Sequence, residues 1–191
     1  MNDRLDRQAR SGHWLWMLCL LSCGAFADNK WQETIPDARL VGSGELRLFG
    51  EPIYSAQLFS PVQPPSEEAP FALELTYHRR IERDRLVSVS LEEIRRLYGE
   101  QVSPEQLEQW RGEMFQAFTD VEPGERIAAV FLPGQGMRFY VGGELRHEVH
   151  DSDFARAFFA IWLDPRARHP GLRERLLGAL GCVAAEAERT C

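Results

Sequence analysis

An α+β fold, with one antiparallel sheet covered on one side by helices, is what the sequence predicts. Three observations carry that reading. Period-2 alternation places Phe71, Leu73, Leu75 and Tyr77 on one parity and Ala72, Glu74, Thr76 and His78 on the other. Helical spacing recurs at Leu107, Trp110, Met114 and Phe118, and again at Phe154, Phe158 and Ile161. The elements also come in groups: strands, two helices, three strands, two helices. At 191 residues and 44% hydrophobic, the chain has material for one domain with a real core.

The N-terminus reads as an export signal. Arg4, Arg7 and Arg10 precede an apolar run from Trp14 to Leu21, and Ala25-Phe26-Ala27 supplies the small residues of a cleavage site. Residues 1–27 are therefore expected to be a signal peptide, residues 28–180 the domain and residues 181–191 a C-terminal tail. The apolar run falls short of the roughly 20 residues that span a bilayer, so no transmembrane helix is expected after signal removal and the mature chain is assigned to the periplasm. A lipid-anchored alternative rests on Leu20-Leu21-Ser22-Cys23, which loosely matches a lipoprotein box at Cys23. Removal of the signal leaves Cys182 and Cys191, for which two readings stand: a disulfide closing a short terminal loop, or two free thiols on a frayed tail.

Along the chain, Ala38 to Phe49 reads as a first strand in which Gly42 and Gly44 mark a bulge or a close backbone approach. Gly50-Glu51-Pro52 turns into a second strand, Ile53 to Phe59, and Pro61 to Pro70 is a solvated loop. The strand Phe71 to Tyr77 is expected to bury one face and wet the other. The charged run Arg79 to Arg85 reads as a solvated turn rather than a site. Ser90 would cap a helix from Leu91 to Tyr98 that Gly99 stops. Ser103-Pro104-Glu105-Gln106 combines a capping serine, proline at the first helical position and glutamine three residues after the cap. Arg126 to Leu132 is apolar on both parities, as a central strand should be. Met137 to Val141, the Gly142-Gly143 turn and Glu144 to Val149 complete a three-strand meander. A core helix, Ser152 to Leu163, starts at Asp151 or Ser152 and ends before Pro165; Pro170 opens a last helix bearing Leu172, Leu176 and Leu180.

The charge balance, 29 acidic against 22 basic residues, argues against nucleic acid or an anionic membrane face as the main partner. His147 and His150, three apart on a strand, point to opposite faces, so no metal site is read there. Gly42 and Gly44 lack the third glycine and the strand-to-helix context of a dinucleotide fingerprint. No nucleophile elbow is present, Glu92 and Glu93 sit on an exposed helix, and no cofactor is expected. The candidate ligand-binding pair is Arg47 on the first strand and Tyr54 on the second, which could meet across the hairpin and suit a carboxylate or a phenolate.

LVGSGELRLFGEPIYSAQLF, the spacing of Trp110, Met114 and Phe118 before Asp120-Val121, FLPGQGMRFYVGGE and FARAFFAIWLDPR with a following LR..LLG together resemble the bacterial chalcone isomerase-like family of exported proteins, over roughly Ala38 to Gly178. The resemblance implies the chalcone isomerase fold, an open-faced β-sandwich with helices over the large sheet. It implies two uses of one cleft. Plant chalcone isomerases close a flavanone ring with an Arg on an early strand and a Thr plus Tyr; here Arg47 falls one residue off that Arg and Tyr54 stands about where the Thr would be. Related non-enzymatic members hold fatty acids with Arg and Tyr on the carboxylate. Non-catalytic binding of a small apolar acid, fatty or phenolic, is the first expectation. An intramolecular lyase or isomerase and a ligand-free interaction module of the envelope are the alternatives.

Overall fold

Six strands follow one another in space as they do in sequence: β1 (Arg39–Leu48), β2 (Glu51–Ser60), β3 (Phe71–Tyr77), β4 (Arg126–Leu132), β5 (Gly136–Val141) and β6 (Glu144–Val149), each antiparallel to its neighbour. The structure is a computed structural model that describes residues 30–178. The signal segment 1–27, Leu180 and the cysteines Cys182 and Cys191 lie outside the described residues. Among those described, α1 (Trp31–Thr34) precedes the sheet, α2 (Arg83–Tyr98) and α3 (Pro104–Ala117) connect β3 to β4, and α4 (Ser152–Leu163) and α5 (Pro170–Leu176) follow β6.

Alternation along the strands sorts side chains into two layers. Leu73, Leu75, Ile127, Ala129 and Phe139 join the main core beneath α2 to α5, while Ala72, Ala128, Val130 and Tyr140 face the opposite side. That opposite side is partly covered, which the alternation of β3 did not predict. Trp31 and Ile35 close over it, and Glu74, only 5% exposed, accepts from the Trp31 indole Nε1 at 3.0 Å with the Arg126 guanidinium at 3.6 Å. A buried carboxylate so partnered avoids the cost of an uncompensated charge. The segment α1 was invisible to sequence reasoning because its four residues are too few to show a period.

Helix α4 lies on β5 and against α2. Its apolar residues form an aromatic chain, Phe154, Phe158, Phe159 and Trp162, that meets Phe118, Phe139, Phe71 and Phe131 at ring separations of 4.8 to 6.4 Å. Asp151 caps it, accepting from the backbone N–H groups of Asp153 and Phe154, and its other oxygen accepts from Trp110 Nε1 at 2.9 Å. One carboxylate thus joins α4 to α3. The capping box expected at Ser103 and Gln106 is formed.

Helix α2 begins at Arg83, two turns before the expected Leu91, and the residues 79–85 are not all a turn. Ser90 is not a cap. It sits buried in mid-helix with its hydroxyl donating to the Leu86 carbonyl, and the buried stripe runs on through Leu86, Val87, Leu91, Ile94 and Leu97. Serines and charges at the start of this helix hid the period, but tertiary burial of Leu86 and Val87 overrides their weak propensity.

Both glycine readings on β1 hold. A register shift separates Leu40 from Gly42, and α5 rests directly on the bare backbone: a Cβ at Gly42 would lie 2.0 Å from the Arg175 carbonyl oxygen, and one at Gly44 2.7 Å from Leu172 Cδ1. Gly42→Ala should therefore push α5 from the sheet and cost about 1–3 kcal/mol. Gly112→Ala, in α3 with open space around its Cβ position, should instead stabilise by about 0.5–1 kcal/mol; urea denaturation of the two variants checks both signs. Asp151→Ala removes a cap and orphans the Trp110 N–H, and the same measurement should show a loss of about 2–4 kcal/mol.

Candidate ligand cleft

Where α2 and α5 part from the sheet, they leave a cavity of about 920 Å³. That volume falls within the roughly 300–1,000 Å³ of ligand pockets. The sheet side is Leu46, Tyr54, Leu73, Leu75, Tyr77 and Ile127; α2 contributes Leu86, Val89 and Ser90; α4 contributes Phe158, Ile161 and Trp162. The apolar parity of β3 supplies its part of the wall without interruption.

Three hydroxyls interrupt this surface. Tyr54 Oη accepts from Trp162 Nε1 at 2.9 Å. Ser90 also lines the cavity, and its hydroxyl donates to the Leu86 carbonyl of its own helix. Tyr77 is 5% exposed and its hydroxyl makes no hydrogen bond with a described residue, although its backbone pairs with Gly124 and Glu125. Every wholly enclosed side-chain nitrogen or oxygen among the described residues has a partner, so the Tyr77 hydroxyl opens onto the cavity. Burial pushes the Tyr54 phenol up to about 12, against the lowering effect of the Trp162 hydrogen bond, and burial pushes Tyr77 up further, with Tyr54 adding to it. Both are neutral donors at physiological pH.

The rim is charged. Arg79, Arg80, Arg85 and Arg168 face Glu82, Glu92 and Glu93 around the opening. Arg168 pairs with Glu93 and Arg80 with Glu122, whereas Arg79 and Arg85 have no partner among the described residues. Burial lowers the pKa of His169, against the raising effect of Glu93. The charged run read as a solvated turn therefore borders the opening.

Tyr54 lines the cavity, but Arg47 does not. Across the hairpin Tyr54 pairs with Leu46, and a register shift pairs Arg47 with Pro52. Leu46 and Leu48 border the cavity, so alternation turns Arg47 away, where Nη1 donates to the Gly50 carbonyl at 2.9 Å and Nε meets Glu45 at 2.5 Å. Arg47 instead borders a smaller depression with Arg168, His169 and Arg175. The expected Arg47–Tyr54 pairing is not formed, because the bulge and the pleat place them on different surfaces. Tyr77, Ser90 and Trp162 were not singled out from the sequence. For Tyr77 a signal was present, a tyrosine ending the apolar parity of the clearest strand. His147 bonds Glu113 of α3 at 2.6 Å, and no group of three metal-ligating side chains occurs among the described residues.

An antiparallel sheet with α2 to α5 on one face and an apolar cleft between them defines an α+β protein of the open-faced sandwich class. A family described as chalcone isomerase-like matches residues 54–178. The chain belongs to that family. No curated protein matches the sequence. Among solved structures, the crystal structure of a fatty-acid binding protein from Arabidopsis thaliana shares the fold, at TM-score 0.56 and 13% identity over 78% of this chain and 90% of that one.

The tyrosines give the cleft an alkaline signature. A phenol whose pKa is raised by folding contributes stability that is full below the unfolded value of 10 and lost as pH rises through the folded value, about 12 for Tyr54. Phenolate absorbance should therefore show tyrosines that titrate only with unfolding, above pH 10, and Tyr54→Phe with Tyr77→Phe should shift that alkaline transition upward.

Proposed function

We propose that this protein is a carrier, exported to the periplasm after loss of residues 1–27, that holds one small apolar acid, fatty or phenolic, in the cleft without altering it. The observation that supports this best is the hydroxyl of the buried residue Tyr77, which opens onto the cleft with no hydrogen-bond partner among the described residues. A hydroxyl that opens onto a largely apolar cavity offers its donor to a ligand oxygen, and the bond it makes there adds to the apolar contact. The likeness of fold to a fatty-acid binding protein supports the same reading. A carboxylate or phenol oxygen would accept from Tyr77 beside Tyr54, with the apolar body along Leu73, Leu75, Phe158 and Ile161. Arg79 and Arg85, which line the cleft without an ion-pair partner among the described residues, supply positive charge there, and Arg47 does not. Catalysis finds less support: the two buried phenols are donors held protonated, and no unpaired carboxylate stands among the buried lining residues.

Native mass spectrometry of the protein purified from its own envelope, followed by denaturation, should release a fatty or aromatic acid. Tyr77→Phe should weaken binding of that acid about two- to tenfold. A protein that stays empty with candidate acids added, or that converts a chalcone to product, sinks the reading.

A further inference from the structure

The β1–β2 hairpin carries a feature that neither the core nor the cleft explains. Its two-residue turn is Phe49-Gly50, with φ of 53° and 87°. Positive φ at both positions suits Asn-Gly, and a bulky aromatic residue is a poor occupant. Phe49 gains no packing in return: it is fully exposed, at 107%. Leu48 beside it is 42% exposed and borders the cavity. The Ile53 carbonyl accepts from the His78 N–H, so the strand end leading to Arg79 and Arg80 lies at the same end of the sheet. Arg79 and Arg85, both exposed and unpartnered among the described residues, share the cavity rim with Leu48.

We propose that this tip docks on a phospholipid bilayer, with Leu48 and Phe49 entering the interfacial region, Arg79 and Arg85 on lipid phosphates, and the cleft opening against the membrane. An aromatic ring beside an apolar side chain, flanked by free guanidinium groups, matches the layering of apolar chains beneath phosphates. Glu51 follows the turn, Glu82 shares the cavity rim and the whole chain carries a formal charge of −7. The attraction is therefore local, to phosphates that every phospholipid carries, and not to net negative surface charge. The docking does not require the carrier reading; loading of the cleft directly from the bilayer does.

Ligand-free mature protein, sedimented with phosphatidylethanolamine–phosphatidylcholine vesicles with and without phosphatidylglycerol, tests the docking. Partitioning onto both vesicle types is expected, with little gain from the anionic lipid. Phe49→Asn should lower it about tenfold or more while leaving the Tm unchanged or raised, because Asn accepts the left-handed backbone. Failure to partition, or undiminished partitioning of Phe49→Asn, overturns the proposal. So does a Phe49-dependent dimer in sedimentation velocity without vesicle binding, which would make a second copy of the chain the occupant. Success here with an empty cleft in native mass spectrometry would retire the carrier and keep the docking.

Discussion

Helix α4 has to be covered on nearly every side, and the rest of the molecule answers to that. Seven of its twelve residues are buried, four of them aromatic, so it cannot lie on a sheet with its back to water as an amphipathic helix would. The sheet takes one side, through Phe139, Phe131 and Phe71, and α2 covers another. Asp151 fixes where the helix begins and ties that point to Trp110 of α3. Because Asp151 serves the α4 backbone and the α3 indole at once, the two helices cannot move independently without leaving a buried donor unpaired.

The cleft is what this arrangement leaves over. Phe158 and Trp162 of α4 form part of its wall, so the side chains that hold the core together also shape the empty space. At the β1 edge, the absence of side chains at Gly42 and Gly44 lets α5 sit on the strand backbone, and Leu172 reaches the cavity from there. The result is a close-packed half and a hollow half under one layer of helices. Close packing around the first is what allows the second to persist without collapse.

How much of this the sequence carried depends on the kind of signal. Order, hairpin pairing, the central place of β4, the capped start of α3 and the two-sided burial of α4 followed from local periodicity and turn chemistry. The start of α2 did not, because Arg83, Asp84, Arg85, Ser88 and Ser90 mask a buried stripe that only packing against α3 and α4 reveals. Nor did the direction of Arg47, since a single register shift after Leu46 decides it and no composition marks that shift. The cleft hydroxyls lay in between. Tyr54 could be chosen from its strand, whereas the open hydroxyl of Tyr77 emerges only from the hydrogen bonds it fails to make.

For the proposed ligand, magnitudes separate what binds from what orients. Each methylene moved from water to the apolar wall contributes about 0.8 kcal/mol, so a chain of several carbons outweighs any polar contact. A neutral hydrogen bond from Tyr77 adds about 0.5–1.5 kcal/mol, and exposed pairs with Arg79 or Arg85 at the rim add about 0–1 kcal/mol. Affinity therefore rests with Leu73, Leu75, Phe158 and Ile161, and tolerates different tails. The hydroxyl decides which end goes in. A ligand with no acceptor gains the walls but leaves Tyr77 desolvated and unpaired, so the same residue that contributes little to affinity contributes most to discrimination between an acid and a hydrocarbon.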